Sequence, residues 1–149
     1  MATLTVTIQE EITINGKDRG NKNAVTIDSV SEIFTRVLEI TNTEQTVLSF
    51  QASNPSGGAI KDATMQYLRI TNLDSTNSVD LRIQDAANVK EYFVQIAPSE
   101  SWILFNDKMD CDSAAVDTTI SLSQIDFISA DAPGTGGETA DIEIFAVAT

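Results

Sequence analysis

The 149-residue sequence carries 22 acidic side chains against nine basic ones, a formal charge of −13, and has 42% hydrophobic residues and no histidine. So acidic a surface repels phosphate backbones and anionic lipid, which excludes nucleic acid and membrane surfaces from the expected partners. The missing imidazole removes the usual general base, the common zinc ligand and the switch near neutral pH.

The length suits one domain spanning residues 1–149, with a core large enough to hold it. Cys111 stands alone, so no intrachain disulfide is available. No apolar run approaches the roughly 18 residues that span a bilayer. Met1-Ala2-Thr3-Leu4 lacks the basic and apolar regions of a signal peptide. The expectation is a soluble protein made in a cytoplasm.

In chain order, Leu4, Val6 and Ile8 alternate with polar residues, as in a strand with one wet face. Ile12 and Ile14 continue the pattern to Asn15-Gly16, the strongest short turn signal available. Lys17 to Asn23 reads as a loop, with Gly20 free to take positive φ. Val25 and Ile27 begin another strand, and Ile33 to Ile40 gives a longer one with Phe34, Leu38 and Ile40 on one face. Glu44 to Phe50 reads as a strand or a short helical turn, with strand preferred. Asn54-Pro55-Ser56-Gly57-Gly58 is a loop.

Tyr67 to Ile83 reads as a central antiparallel hairpin, because Leu68 and Ile70, then Val79, Leu81 and Ile83, alternate on either side of turn formers. Pairing Arg69 with Asp80 avoids the like charges that would meet if Arg69 faced Arg82, a difference of about 1 kcal/mol. A turn at Asp85 to Asn88 precedes Tyr92, Val94 and Ile96, and Pro98 ends that strand. Trp102-Ile103-Leu104-Phe105 is short and continuously apolar, the pattern of a strand buried on both faces. Asn106 to Asp117 is an acidic loop. Ile120 and Leu122, then Ile125, Phe127 and Ile128, mark further strands. Asp131 to Thr139 is a flexible loop, and Asp141 to Val147 closes the chain as a strand. Eight to ten short strands with regular turn signals point to an all-β, antiparallel β-sandwich or jelly roll.

No pattern in this sequence spells out a catalytic or cofactor site. Asp107, Asp110 and Asp112 form the one candidate calcium loop, since alternating acids can supply hard oxygen ligands. The EF-hand pattern fails there, without its central Gly and final Glu, and a solvated loop is preferred. Cys111 has no second sulfur or imidazole to make a zinc site. The acids are too numerous to single out a glycosidase pair, and no G-x-S-x-G elbow appears. Gly134-Thr135-Gly136-Gly137 lacks the Lys-Ser/Thr of a phosphate loop and precedes a strand. Trp102, Tyr67 and Tyr92 are candidates for a sugar-stacking platform, but Trp102 heads an apolar run, which favours core packing. The expectation is a protein without enzyme activity, cofactor or bound metal.

Thr5-Val6-Thr7-Ile8 with Glu11 to Gly16, then Tyr67 to Asp74, then Val79 to Ile83, and the Pro98-Ser99 turn before an aromatic strand resemble small β-sandwich virion proteins of tailed phages, especially marine ones. The resemblance implies a capsid decoration (cement) or neck-associated subunit, present in many copies and located on the virion. Its implied partners are itself, as a homo-oligomer such as a trimer, and other virion proteins such as major capsid or neck proteins. The runner-up reading is a ligand- or glycan-binding module. Apolar Trp102 to Phe105 and Ile142 to Val147, read as unpaired edges, would also need a like subunit to cover them.

Overall fold

Alternation of apolar and polar residues is realised as two stacked sheets and a projecting hairpin. The computed structural model describes residues 2–52, 57–85, 90–109, 122 and 125–149. The hairpin comprises β1 (Ala2–Glu10), β2 (Thr13–Ile14), β3 (Lys17–Asp18) and β4 (Asn21–Val30). The sandwich follows with β5 (Glu32–Thr41), β6 (Gln45–Gln51), β7 (Ala59–Lys61), a 3-10 turn at Asp62–Thr64, β8 (Met65–Asn72) and β9 (Val79–Gln84). It is completed by β10 (Glu91–Ile96), β11 (Ser101–Phe105), β12 (Phe127–Asp131) and β13 (Thr139–Ala148).

One sheet runs β11-β8-β13-β5 and the other β10-β9-β12-β6-β7. Among the described residues, every pairing is antiparallel except the short parallel contact of β6 with β7. The chain changes sheet at each step except between β9 and β10 and between β6 and β7, so the two sheets interleave as a jelly roll. Their inner faces meet through Ile40, Leu68, Ile70, Ile142 and Ile144 on one side and Val79, Leu81, Ile83 and Ile128 on the other, all inaccessible to solvent. Burying each such aliphatic side chain is worth about 1.5–3 kcal/mol. Phe34 and Leu38 join Ile40 on the inner face of β5, as their spacing predicts.

The expected central hairpin does not form. β8 and β9 belong to opposite sheets, so Arg69 lies across from Ile103 and Phe145, and Asp80 across from Gln95 and Asp131. Two strands that each bury an aliphatic row gain by facing one another across the core. Charge pairing did not oppose this, because each residue found another partner. Arg69 Nη2 lies 2.5 Å from Glu143 Oε2, and Asp80 Oδ1 accepts from Gln95 Nε2 at 2.7 Å.

The segment between the strands is a polar arch. Asp74 Oδ1 accepts from the backbone N–H groups of Thr76 and Asn77, both at 2.7 Å, and from the Thr76 hydroxyl at 2.9 Å. Fully buried Asn72 donates through Nδ2 to the carbonyls of Asn77, Ile96 and Ala97, and its Oδ1 accepts from Asp74 N.

Three other expectations are corrected. Trp102 to Phe105 is the edge strand β11, with Trp102 and Leu104 turned inward and Ile103 37% exposed on the outer face. Ile142 to Val147 lies in β13, which is paired on both sides, by β8 and β5. Lys17 to Asn23 is largely laddered rather than looped. Gly20 is needed there for space rather than for positive φ, because a Cβ would fall 2.0 Å from the Glu10 carbonyl oxygen. Glu44 to Phe50 is strand from Gln45 on; Leu122 and Ile125 are buried outside any strand, and Ile120 lies outside the described residues.

Removing an inner side chain should unfold the sandwich where removing a hairpin side chain does not. Leu81→Ala should cost about 2–5 kcal/mol in urea unfolding. Ile14→Ala, at a 52% exposed site, should stay within about 0.5 kcal/mol of the parent. Equal losses at the two positions would contradict this division between core and arm.

Candidate functional site

The hairpin formed by β1 to β4 is the feature that the sandwich does not explain. Its tip is the Asn15-Gly16 turn, with φ of 53° and 73°, the two positive values that a type I′ turn requires. From there the ladder runs Ile14–Lys17, Thr13–Asp18, then Glu10–Asn21 through Val6–Val25 to Leu4–Ile27. Between its two parts, Arg19 N donates to Ile12 O at 2.8 Å and Gly20 N to Asp18 Oδ1 at 2.8 Å.

Directly paired residues of an antiparallel ladder share a face. Leu4, Val6, Ile8, Val25 and Ile27 therefore make one apolar face, backed by Thr5, Thr7 and Thr26. Only the base of that face is covered. Leu4, Val6, Ile27 and Val30 pack on Tyr67, Phe105, Phe145 and Val147 of the outer face of the four-stranded sheet. Tyr67 stands edge-on to Phe105 and Phe145, at ring centroid distances of 5.2 and 6.1 Å. A bulge between Ala2 and Leu4, with Ser29 at φ 61°, bends the ladder at this seat. Beyond it, Ile8, Ile12, Ile14 and Val25 are 37–52% exposed. From Ile8 to the tip the arm extends by about 27 Å at strand rise.

The sandwich shows the counterpart. On the outer face of β5, the edge of the four-stranded sheet, Ile33 and Val37 are 60% and 58% exposed. The next strand sets Glu143 beside Val37 and Asp141 beside Glu39.

A second charged region lies on the outer face of the five-stranded sheet. Asp131 and Asp80 are directly opposed in the ladder, and Arg82 is drawn to Glu44 at 2.7 Å and Glu91 at 3.3 Å. Burial, then the nearby charges of Asp80 and Glu44, push the Asp131 carboxyl above its usual range, against the pull of Arg82. In the arch, backbone N–H donation from Asn77 and Thr76 holds Asp74 below the usual range. Burial raises the Tyr67 phenol beneath the arm, partly offset by Arg69.

Asp107 pairs with Lys108 Nζ at 2.9 Å, while Asp110, Cys111 and Asp112 lie outside the described residues. Among the described residues no group of three or more acidic or sulfur side chains is placed to hold a metal. Trp102 and Tyr92 face the core from different sheets, whereas Tyr67 lies on an outer face beneath the arm. They form no common platform. Gly134 and Gly137 take positive φ, and Glu138 Oε2 accepts from Gly136 N at 2.8 Å, in the loop before β13. Sequence reading missed the arm as a unit, although its strands flank the Asn-Gly turn symmetrically. Comparison of the chain with family models, curated proteins and solved structures finds no match.

The raised Asp131 carboxyl has a definite pH signature. A carboxyl raised on folding binds its proton more tightly in the folded state, so its ionised form is unfavourable at neutral pH. The penalty disappears as pH falls through the raised value toward that of the unfolded chain. Asp131→Asn should therefore raise the thermal midpoint at pH 7, and the gain should shrink with acidification. Asp74→Ala should do the reverse, lowering the midpoint at pH 7 and mattering less as pH falls through its depressed value. Paired thermal melts across the carboxylate range check both; an Asp131→Asn gain that grows toward acid would contradict the assignment.

Proposed function

We propose that the protein is a virion structural protein of a tailed phage, a capsid decoration or neck-associated subunit that acts through protein–protein contacts. The observation that carries this reading is the arm: about thirty residues devoted to a ladder on whose distal part Ile8, Ile12, Ile14 and Val25 stay 37–52% exposed. A projecting amphipathic hairpin suits an extended neighbour such as a major capsid or neck protein.

The jelly roll is compatible, since it recurs in viral capsid and lectin domains, although a fold alone does not fix a function. The strong negative charge suits an outward surface that does not touch packaged DNA. The glycan-binding alternative loses its main support with the separation of Trp102, Tyr67 and Tyr92.

Density-banded virions of a phage encoding this sequence should contain the chain in many copies by peptide mass spectrometry. Immunogold against it should label the head surface or the neck. Its presence in lysate but absence from banded particles would contradict the proposal.

A further inference from the structure

We infer that the distal arm docks on the outer face of β5 in a second copy of this chain, joining Ile8, Ile12, Ile14 and Val25 to the strip around Ile33 and Val37. The inference rests on the arm being a protein-contact element and names the contact. Three features select a like chain as the occupant.

The first is charge. Residues 2–30 hold four acidic and three basic side chains, a net −1, while residues 31–149 hold eighteen and six, a net −12. Two sandwiches brought together directly repel one another, whereas the arm adds almost no repulsion. Lys17, Arg19 and Lys22 lie exposed along its distal half, balanced in number by Glu10, Glu11 and Asp18, and among the described residues none of the three cations forms an ion pair. The strip on β5 is flanked by Glu39 and Asp141, and by Glu143 paired with Arg69. Attraction between these cations and the Glu39 and Asp141 carboxylates orients the partners.

The second is continuity. The arm base already sits on the outer face of the four-stranded sheet, through Tyr67, Phe105, Phe145 and Val147. Ile33 lies in register with Val147 and Tyr67 in the same cross-strand row, and it is left 60% exposed. The apolar face that the arm recognises within the chain thus extends past the covered part.

The third is the edge. β5 is ten residues long and pairs only with β13, leaving its other side without a ladder partner among the described residues. Among the described residues, both strands of the arm likewise lack a ladder partner on one side. A long exposed edge needs cover, and an arm of a second copy laid along β5 supplies it, reciprocally when two copies exchange arms.

Sedimentation velocity and light scattering on the full chain test this. The parent should associate at micromolar concentration. Ile8→Asp with Ile14→Asp (arm variant) and Val37→Asp (face variant) should each weaken association by at least about tenfold, while circular dichroism shows an unchanged fold. Mixing the two variants should restore a mixed dimer, because the face variant keeps its arm and the arm variant keeps its face. Lys17→Glu with Lys22→Glu should weaken association further at low salt than at high salt. A monomeric parent, association indifferent to both variants, or failure of the mixture to recover would overturn the inference. Particles that carry a protein which is monomeric in solution would leave the virion reading standing and remove this one. An arm-dependent dimer absent from particles would do the opposite.

Discussion

Asn72 is the buried polar residue at the point where the chain leaves one sheet for the other, and the sandwich depends on its amide being satisfied. Its Nδ2 reaches three carbonyls, on Asn77, Ile96 and Ala97, which belong to the arch and to the end of β10. An unsatisfied amide at so buried a position would cost about 1–3 kcal/mol. Around it, Leu73 N donates to Asp141 O, Ser99 N to Asp74 O, and Asn77 Nδ2 to Thr139 O. One short polar segment therefore joins the starts or ends of β8, β9, β10 and β13. Once β8 and β9 are forced apart in this way, their aliphatic rows face each other and the core closes.

The same constraint accounts for what is left outside. With β13 drawn between β8 and β5, the apolar C-terminal strand is paired on both sides within the sandwich, and the exposed large apolar side chains lie on β5, β10, β11, the arch and the arm. Outer-face aromatic residues Tyr67, Phe105 and Phe145 would be a large wet patch if the arm base did not cover them. The arm is in that sense half a structural element and half an unfilled one. Its base completes the sandwich, and its distal part repeats the same chemistry with Ile8, Ile12 and Ile14 left 40–52% exposed.

Much of this was legible in the residues. Alternation placed nearly every strand of the sandwich, Pro98 stood just past the end of β10, and Phe34, Leu38 and Ile40 showed which face of β5 turns inward. What alternation does not encode is which strand pairs with which. Arg69 and Asp80 looked complementary, yet a surface pair is worth too little to choose a topology when Glu143 and Gln95 are equally available. Tyr67 to Ile83 reads as a hairpin because turn residues look alike whether the chain returns within a sheet or crosses to another. The arm was nearer to hand. Carrying the register of the Asn15-Gly16 turn outward sets Val6 opposite Val25 and Leu4 opposite Ile27, as found. It was missed because Lys17 to Asn23 is rich in loop-type residues, and the closeness of Gly20 to Glu10 is visible only in three dimensions.

The central claim is that the distal arm is a binding surface waiting for a second chain. Amide hydrogen exchange on the full chain at low and high protein concentration tests it residue by residue. The account predicts that amides of β1 and β4 beyond the seat, and of β5 from Glu32 to Leu38, become more protected as concentration rises. Amides of β8 and β9 should stay equally protected throughout, because they sit in the core. Arm and β5 protection that is independent of concentration would contradict it.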